Sequence, residues 1–550
     1  MSSTHFERNL QALACTGPRP ALWEALVDHS SSVDQEAVTS RPERSPAFDI
    51  PDDADVLFLG SSGVGCFLPF LEQTASRVVL VEPDLTRLSR VLAREDLSDP
   101  IHQGRFVVYS DLSPKAVVRN WLRPEHERAM SRLLFIDGAG KDRARQSYFA
   151  EVRNGIADRE RDSALDTGAM VSLGPIVVDN ALSNIAGSYP SLPPRLLSCF
   201  RGRPGIVVSA GPSLDENAVR LAEAVGRAVI IAVDTAVKPL ARHGVRADLV
   251  VGVDPRVRNV HNLVGADLSA SYLVTELSAH PALAALPAAG VALVTCDNPI
   301  GRVAELLGLD CPRLAMFGSV ATAAFELSSR MGLDPIVLMG QDLAFTHGKQ
   351  YCSNTDKRSF ASAPDAEVRW ETDIHGQPVS TTLRLQSFRD WLEARMEEYP
   401  KTTYVNATGA GILKQGVIQM QAEEALDHCL TDVFDVHHEI GACFGDSGTA
   451  ESPTRMAALE KLSAEVEQTL AMLSPAKVKD VPATLRAYLR YEAVVALVEV
   501  LEARALLDLS GLKQRLPVRT RDRSLVRILL RGVERLEESI GNAMANGVGS

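Results

Sequence analysis

Residues 205–235 read GIVVSAGPSLDENAVRLAEAVGRAVIIAVDT, and this stretch decides the fold. A β-branched run, Ile206-Val207-Val208, stops at Ser209-Ala210-Gly211-Pro212-Ser213; a helical pattern follows, and a second apolar run ends in Asp234-Thr235. A buried strand that feeds a glycine turn and then a helix start leaves backbone N–H groups without partners, and these favour an anion. In an open α/β sheet this crevice, at the carboxyl ends of the strands, is where ligands bind. The segment points to a phosphate-bearing ligand, a nucleotide. Gly211 lets a ligand approach the backbone closely, and Ser213 can cap the helix and donate a hydrogen bond. A capped turn with no ligand is the plain alternative.

Downstream, the theme repeats. Apolar runs end in Ser209, Asp234, Asp254, Glu276, Asp297, Asp342 and Asn406, with helical patterns between them. Strands alternating with helices imply a parallel sheet, and right-handed crossovers gather all those ends on one rim. Asp234, Thr235 and Asp254 can there receive ribose or sugar hydroxyls, hold a hydrated cation, or simply cap helices. Gly318 and Ser319 open a run of small residues that suits either a ligand at the backbone or tight helix–sheet packing. The densest cluster is GQDLAFTHGKQY at 340–351, beginning with Gln341 and Asp342. A transfer reaction needs a base at the attacking hydroxyl and donors at the leaving phosphate. Asp342 and His347 are the base candidates; Lys349 and Tyr351 are placed to meet the departing phosphate.

Upstream, Asp55–Leu59, a Gly60-to-Gly65 turn, a helical stretch and Arg77–Val81 followed by Glu82 form strand, turn, helix, strand and acid. This resembles the first half of a Rossmann domain, with Glu82 where a ribose hydroxyl binds, or a Rossmann-like scaffold without a ligand. Phe106–Tyr109 and Leu133–Asp137 read as further strands, and Phe6–Ala14 and Ala21–Val27 as short helices, the second followed by a polar linker over 41–51. Residues from about 150 to 200, with Pro190, Pro193 and Pro194, read as a connector. Beyond Asp432, Met456–Leu473, Ala483–Leu509 and Ser524–Asn546 carry apolar residues at helical spacing. The expected fold class is α/β: two Rossmann-like parallel-sheet domains, at 1–190 and 191–430, and an α-helical C-terminal domain at 431–550.

With 550 residues, several domains are expected. A net charge of −13 argues against general nucleic-acid binding. The eight cysteines are scattered without a CxxC pair, which fits reduced thiols better than disulfides or zinc. MSSTHFERNL lacks a basic segment followed by an apolar one, so no signal peptide is expected, and no apolar run reaches spanning length. The expectation is a cytoplasmic protein that binds neither nucleic acid nor membrane.

Taken together, VVSAGPSLDEN (207–217), AVDTAVKPLARHGVRADLVVGVDP (232–255), MFGSVATAAFELSSRMG (316–332), LMGQDLAFTHGKQY (338–351) and YVNATGAGILKQGV (404–417) resemble the motility-associated factor (Maf) flagellin glycosyltransferases, which share a pterin-diphosphokinase-like central domain. The resemblance implies a sialyltransferase-like central domain. It implies transfer of a nonulosonic, sialic-acid-like sugar from a CMP-activated donor to Ser or Thr of flagellin. Gly211, Pro212 and Ser213 inherit a donor-binding role, shared on the rim by Asp234, Thr235, Asp254, Gly318, Ser319, Gln341 and Asn406. Asp342, His347 and Tyr351 inherit a place at the reacting centre. The scheme makes no cofactor certain; a metal is less essential for a CMP leaving group than for a nucleoside diphosphate, and Asp254 or Asp342 could hold Mg²⁺. Two other readings share the domain: an ATP- and Mg²⁺-dependent hydroxymethylpterin diphosphokinase, and a noncatalytic flagellin-binding chaperone.

Overall fold

A computed structural model describes residues 2–16, 54–61, 67–73, 77–119, 121, 132–138, 142–187, 189–355, 368–430, 433–445, 451–474, 480–506 and 518–547. The expected helix at Ala21–Val27, the linker over 41–51, and Gly63 and Gly65 lie outside them. The chain divides into two compact units, Met1–Thr167 and Gly168–Ser550.

In the first unit, β1 (Ala54–Leu59), β2 (Val78–Val81), β3 (Phe106–Tyr109) and β4 (Arg132–Asp137) form a parallel sheet in the order β3-β2-β1-β4. β1 and β2 are buried along their whole length, which is why they read as continuous apolar runs. Phe58, Phe67, Phe70 and Phe106 pack edge to face on one side of the sheet. Asp84 caps the helix Leu85–Arg94 by accepting from the Thr86 and Arg87 N–H groups. The first helix, Ser2–Thr16, is pinned by buried Asn9, whose amide donates to the Leu92 and Glu95 carbonyls and accepts from Leu97.

The expected connector after residue 150 is a helix instead. Arg143–Ala186 is one helix with Pro175 inside it. Only the Pro190–Pro194 cluster marks its end. Val177, Val178, Ala181, Leu182, Ile185 and Ala186 are buried at helical spacing, and that burial outweighs the hydrogen bond a proline removes.

The second unit holds β5 (Gly205–Val208), β6 (Val229–Val233), β7 (Leu249–Gly252), β8 (Tyr272–Glu276), β9 (Gly290–Val294), β10 (Ile336–Met339), an antiparallel hairpin of β11 (Val368–Thr372) and β12 (Pro378–Thr382), then β13 (Tyr404–Asn406) and β14 (Ile418–Gln419). Eight of them make a sheet in the order β14-β13-β10-β5-β6-β7-β8-β9, parallel throughout. The chain steps outward from β5 to β9 and re-enters on the other side of β5 with β10. The strand order therefore reverses between β5 and β10, and a crevice opens there. Helices Glu451–Leu473, Val481–Tyr488, Glu492–Leu501 and Val518–Gly547 build a further apolar core with the end of the long helix. The run expected over Ala483–Leu509 is broken near Leu489–Tyr491, and residues 507–509 lie outside the described ones. Two parallel sheets and a helical C-terminal region thus agree with the expected fold class.

Asp248, at the start of β7, accepts from the Ile230 N–H. Desolvation pushes its carboxyl from 3.8 up to about 7. Because the folded state holds the proton more tightly than the unfolded one, stability falls as pH rises from about 4 to about 7, by at most about 1.4 kcal/mol per pH unit. Asp248→Asn keeps an acceptor for Ile230 and removes the charge. Melting curves at pH 5 and pH 8 should show the variant gaining on the wild type at the higher pH. A gap that does not change with pH would contradict the assignment.

Candidate functional site

The ends of β5 and β10 are stitched together across the crevice. Ser209 N donates to Met339 O at 2.9 Å and Gly211 N to Gly340 O at 2.8 Å. The Ser209 hydroxyl donates to Gln341 Oε1 at 2.6 Å. Ser213 donates twice to Asp342, from its N–H to Oδ1 at 3.2 Å and from Oγ to Oδ2 at 2.5 Å. The Ser213 hydroxyl therefore does not cap the following helix, which is only the short turn Leu214–Asn217. Further along, Cys352 N donates to Ala210 O, and Ser353 donates through N–H and hydroxyl to Asp215.

Close packing at this knot excludes side chains. A Cβ on Gly211 would lie 2.2 Å from Asp342 Oδ2 and 2.4 Å from Gly340 O. Gly340 has φ +68°, and a Cβ there would meet Ser209 O at 2.2 Å. Gly411 comes in from β13's loop with φ +86°, and its Cβ would sit 2.0 Å from Asp342 O. That same carbonyl accepts from Ile412 N at 3.0 Å.

Asp342 is 1 % exposed. Desolvation raises its carboxyl, while the two Ser213 donors oppose the rise. Asn406 is fully buried; its amide donates to Leu413 O and Gln419 Oε1 and its oxygen accepts from Thr408 N. Thr408 Oγ1 in turn accepts from Gln341 N. Asn406 thus shapes the loop that supports Gln341 and Asp342.

The other candidate residues share the rim. Asp234 accepts from Thr235 N and from Asn262, and is buried at the end of β6, the neighbour of β5. Asp254 follows β7, one strand further out and about 10 Å from β5 at ordinary strand spacing. Its carboxylate is forked by Arg256, from Nε at 3.0 Å and Nη2 at 2.8 Å. Ser319 caps the helix Val320–Arg330 by accepting from Ala321 N. That helix leads into the start of β10, so its first turn, with Gly318 (φ +60°), lies at the carboxyl end of the sheet. Arg384 and Phe388 come within 3.1 Å of where a Gly318 Cβ would be.

His347 and Lys349 are exposed and Tyr351 is half-buried. Leu343, His347 and Asn354 all have positive φ, at 56°, 53° and 69°. Left-handed non-glycine residues cost of order 1–3 kcal/mol each and cluster at functional loops. The hairpin braces this loop: Phe345 N donates to Ser380 O, and Thr381 Oγ1 to Leu343 O. Sequence reasoning missed the hairpin, Arg256, Asn262, Thr408 and Gly411. Only the spacing of Asp254-Pro255-Arg256 offered a signal, since a cation two residues past an acid at a strand end can fold back on it.

The two carboxylates expected to hold Mg²⁺ have protein partners. Both Asp342 oxygens are held by Ser213 and those of Asp254 by a guanidinium. Among the described residues no three His, Cys, Asp or Glu side chains gather as a metal site.

In the first unit, Glu82 does stand at the end of β2, but the chain's own groups fill its surroundings. Its carboxylate accepts from Ser61 N and Oγ, from Asp84 N and from Arg145 at 3.0 Å. Gly60 and Gly138 touch across β1 and β4, where a Cβ on either would lie within 2.5 Å of the other's carbonyl oxygen, and Phe149 packs on Gly60. The ribose place expected at Glu82 is occupied by Ser61 and Arg145.

Residues 179–348 match the family model described as MptE-like, 6-hydroxymethylpterin diphosphokinase MptE-like. The match covers the centre of the chain, less than half of its length. Among solved structures, the chain is similar to the Maf glycosyltransferase from Magnetospirillum magneticum AMB-1, with a TM-score of 0.57 and 14% identity over 100% of this chain and 96% of that one. At that identity the likeness is one of fold, and it runs the whole length. No curated protein matches the sequence. The resemblance to Maf proteins with a pterin-diphosphokinase-like centre is borne out at both levels, domain and overall fold. Among the described residues no helix is long and apolar enough to cross a membrane.

Proposed function

We propose that this protein is a glycosyltransferase that moves a nonulosonic sugar from a CMP-activated donor to Ser or Thr of flagellin. The observation that carries the reading is the knot at the β5/β10 crevice, where Ser213 and Asp342 are joined at the switch point of an MptE-like domain within a Maf-type fold. In this scheme the turn Gly211-Pro212-Ser213 receives the donor nucleotide. Asp234, Thr235, Asp254, Gly318 and Ser319 line the rim around it, and Gln341 and Asn406 hold the wall behind. Asp342 acts as a positioning residue, with both its oxygens accepting from Ser213. His347, the exposed imidazole of the strained loop, takes the acceptor proton as the oxygen attacks the anomeric carbon. The C–O bond to CMP breaks in the same displacement, and Tyr351 meets the departing phosphate.

Intact mass of flagellin co-expressed with the wild type, Ser213→Ala or Asp342→Ala tests this. The wild type should add the mass of the sugar, and each variant should lower the modified fraction at least about tenfold. No added mass with the wild type, but retained flagellin binding, would favour the chaperone reading. Thermal shift separates the enzymes, because a ligand that binds only the native state raises its melting point. A response to CMP is expected; a response to ATP and hydroxymethylpterin instead would favour the diphosphokinase.

A further inference from the structure

Two thiols meet on the far side of the central sheet. Cys199 and Cys443 are 244 residues apart in sequence, yet their sulfurs lie 3.4 Å from each other. Both are free. Cys199 follows the turn Pro194–Leu197 that leads into β5, and Cys443 lies on the helix Val436–Gly445, ahead of the C-terminal helices. Cys443 is buried and Cys199 half-buried, so a reagent reaches Cys199 first. The same helix packs at the starts of β8 and β9, where Gly441 faces the Tyr272 hydroxyl and Phe444 lies against Gly290. That is the amino-terminal rim of the sheet, opposite the crevice.

We propose that Cys199 and Cys443 are a modification site: they form a reversible disulfide under oxidising conditions and fasten the helix Val436–Gly445 to the segment entering β5. A low-molecular-weight disulfide serves as oxidant. The Cys199 thiolate attacks one of its sulfurs, forming a mixed disulfide and releasing one thiol. The Cys443 thiolate then attacks the Cys199 sulfur and releases the second thiol. Two protein thiols are oxidised and one small disulfide is reduced to two thiols. Burial and the neighbouring Cys443 push the Cys199 thiol up to about 12. The first step is therefore slow at neutral pH and quickens as pH rises.

The full-length protein, incubated with oxidised glutathione at pH 7 and pH 9 and then alkylated, gives the test. Expected are two fewer alkylated thiols, a cross-linked peptide pair containing Cys199 and Cys443, faster formation at pH 9, and reversal by dithiothreitol. Closing so long a loop should also raise the melting point by about 5 °C. Cys199→Ser should prevent the cross-link. Peptide mapping of the wild type decides the matter even if that variant folds poorly. Full alkylation of both thiols after oxidation, or Cys199 linked to another cysteine or to a second chain, would overturn the proposal.

Discussion

Gly211→Ala should loosen the crevice and, on the proposed function, abolish transfer. The added methyl group would stand 2.2 Å from Asp342 Oδ2 and 2.4 Å from Gly340 O. A flexible side-chain tip can retreat, but Gly340 O is backbone and is held at 2.8 Å by the Gly211 N–H itself. Asp342 cannot swing away without breaking both bonds to Ser213. Forced overpacking of this kind costs about 1–3 kcal/mol, and here the strain falls on backbone. We expect at least about a hundredfold loss in modified flagellin by intact mass and a clear drop in melting temperature. Gly244→Ala is the control. It also has positive φ, at 71°, but a Cβ there meets nothing within 4 Å. It should cost about 1 kcal/mol and leave transfer unchanged. If Gly211→Ala behaves like Gly244→Ala, the knot is not as tight as described.

Arg145→Ala should destabilise the first unit by about 3–5 kcal/mol, the usual cost of stranding a buried charge. Glu82 is fully buried, and Arg145 is the cation bonded to both its oxygens. Ser61 and Asp84 would still donate to it, so the effect is an unneutralised charge rather than a missing hydrogen bond. Hydrogen exchange in β1 and β2 reports it without assuming that the two units melt together. Adding Glu82→Gln should restore much of the protection, since the charge that needed Arg145 is gone. A double variant no better than Arg145→Ala would show that the arginine acts by packing on Phe149, which its guanidinium also covers.

Much of this was open to reading in the chain itself. Asp234, Asp254, Glu276, Asp342 and Asn406 were recognised as strand ends because buried parallel strands are unbroken apolar runs, and a polar residue stops them abruptly. What pairs with what was not legible. Ser213 and Asp342 are separated by 129 residues, and nothing in either neighbourhood announces the other. Ser213 looked like a cap because a Ser before a helical pattern usually is one; the tertiary partner won. Pro190, Pro193 and Pro194 argued for a connector over residues 150 to 200, but they mark only its end, and the apolar stripe buried before them keeps the chain helical as far as Ala186. The hairpin of β11 and β12 is mostly half-exposed, so its residues gave no apolar signal.

Asp342 is touched at once by the turn after β5, through Gly211 and Ser213, and by the loop after β13, through Gly411 and Ile412. It works as a keystone, and a keystone partitions what evolution can rearrange. Insertions or bulky replacements at any of the three meeting backbones would bring the arch down together. The outer turns of the rim, such as Asp254–Arg256, carry no such weight. New ligand preferences should therefore arise by redecorating those outer turns while the central stones stay bare.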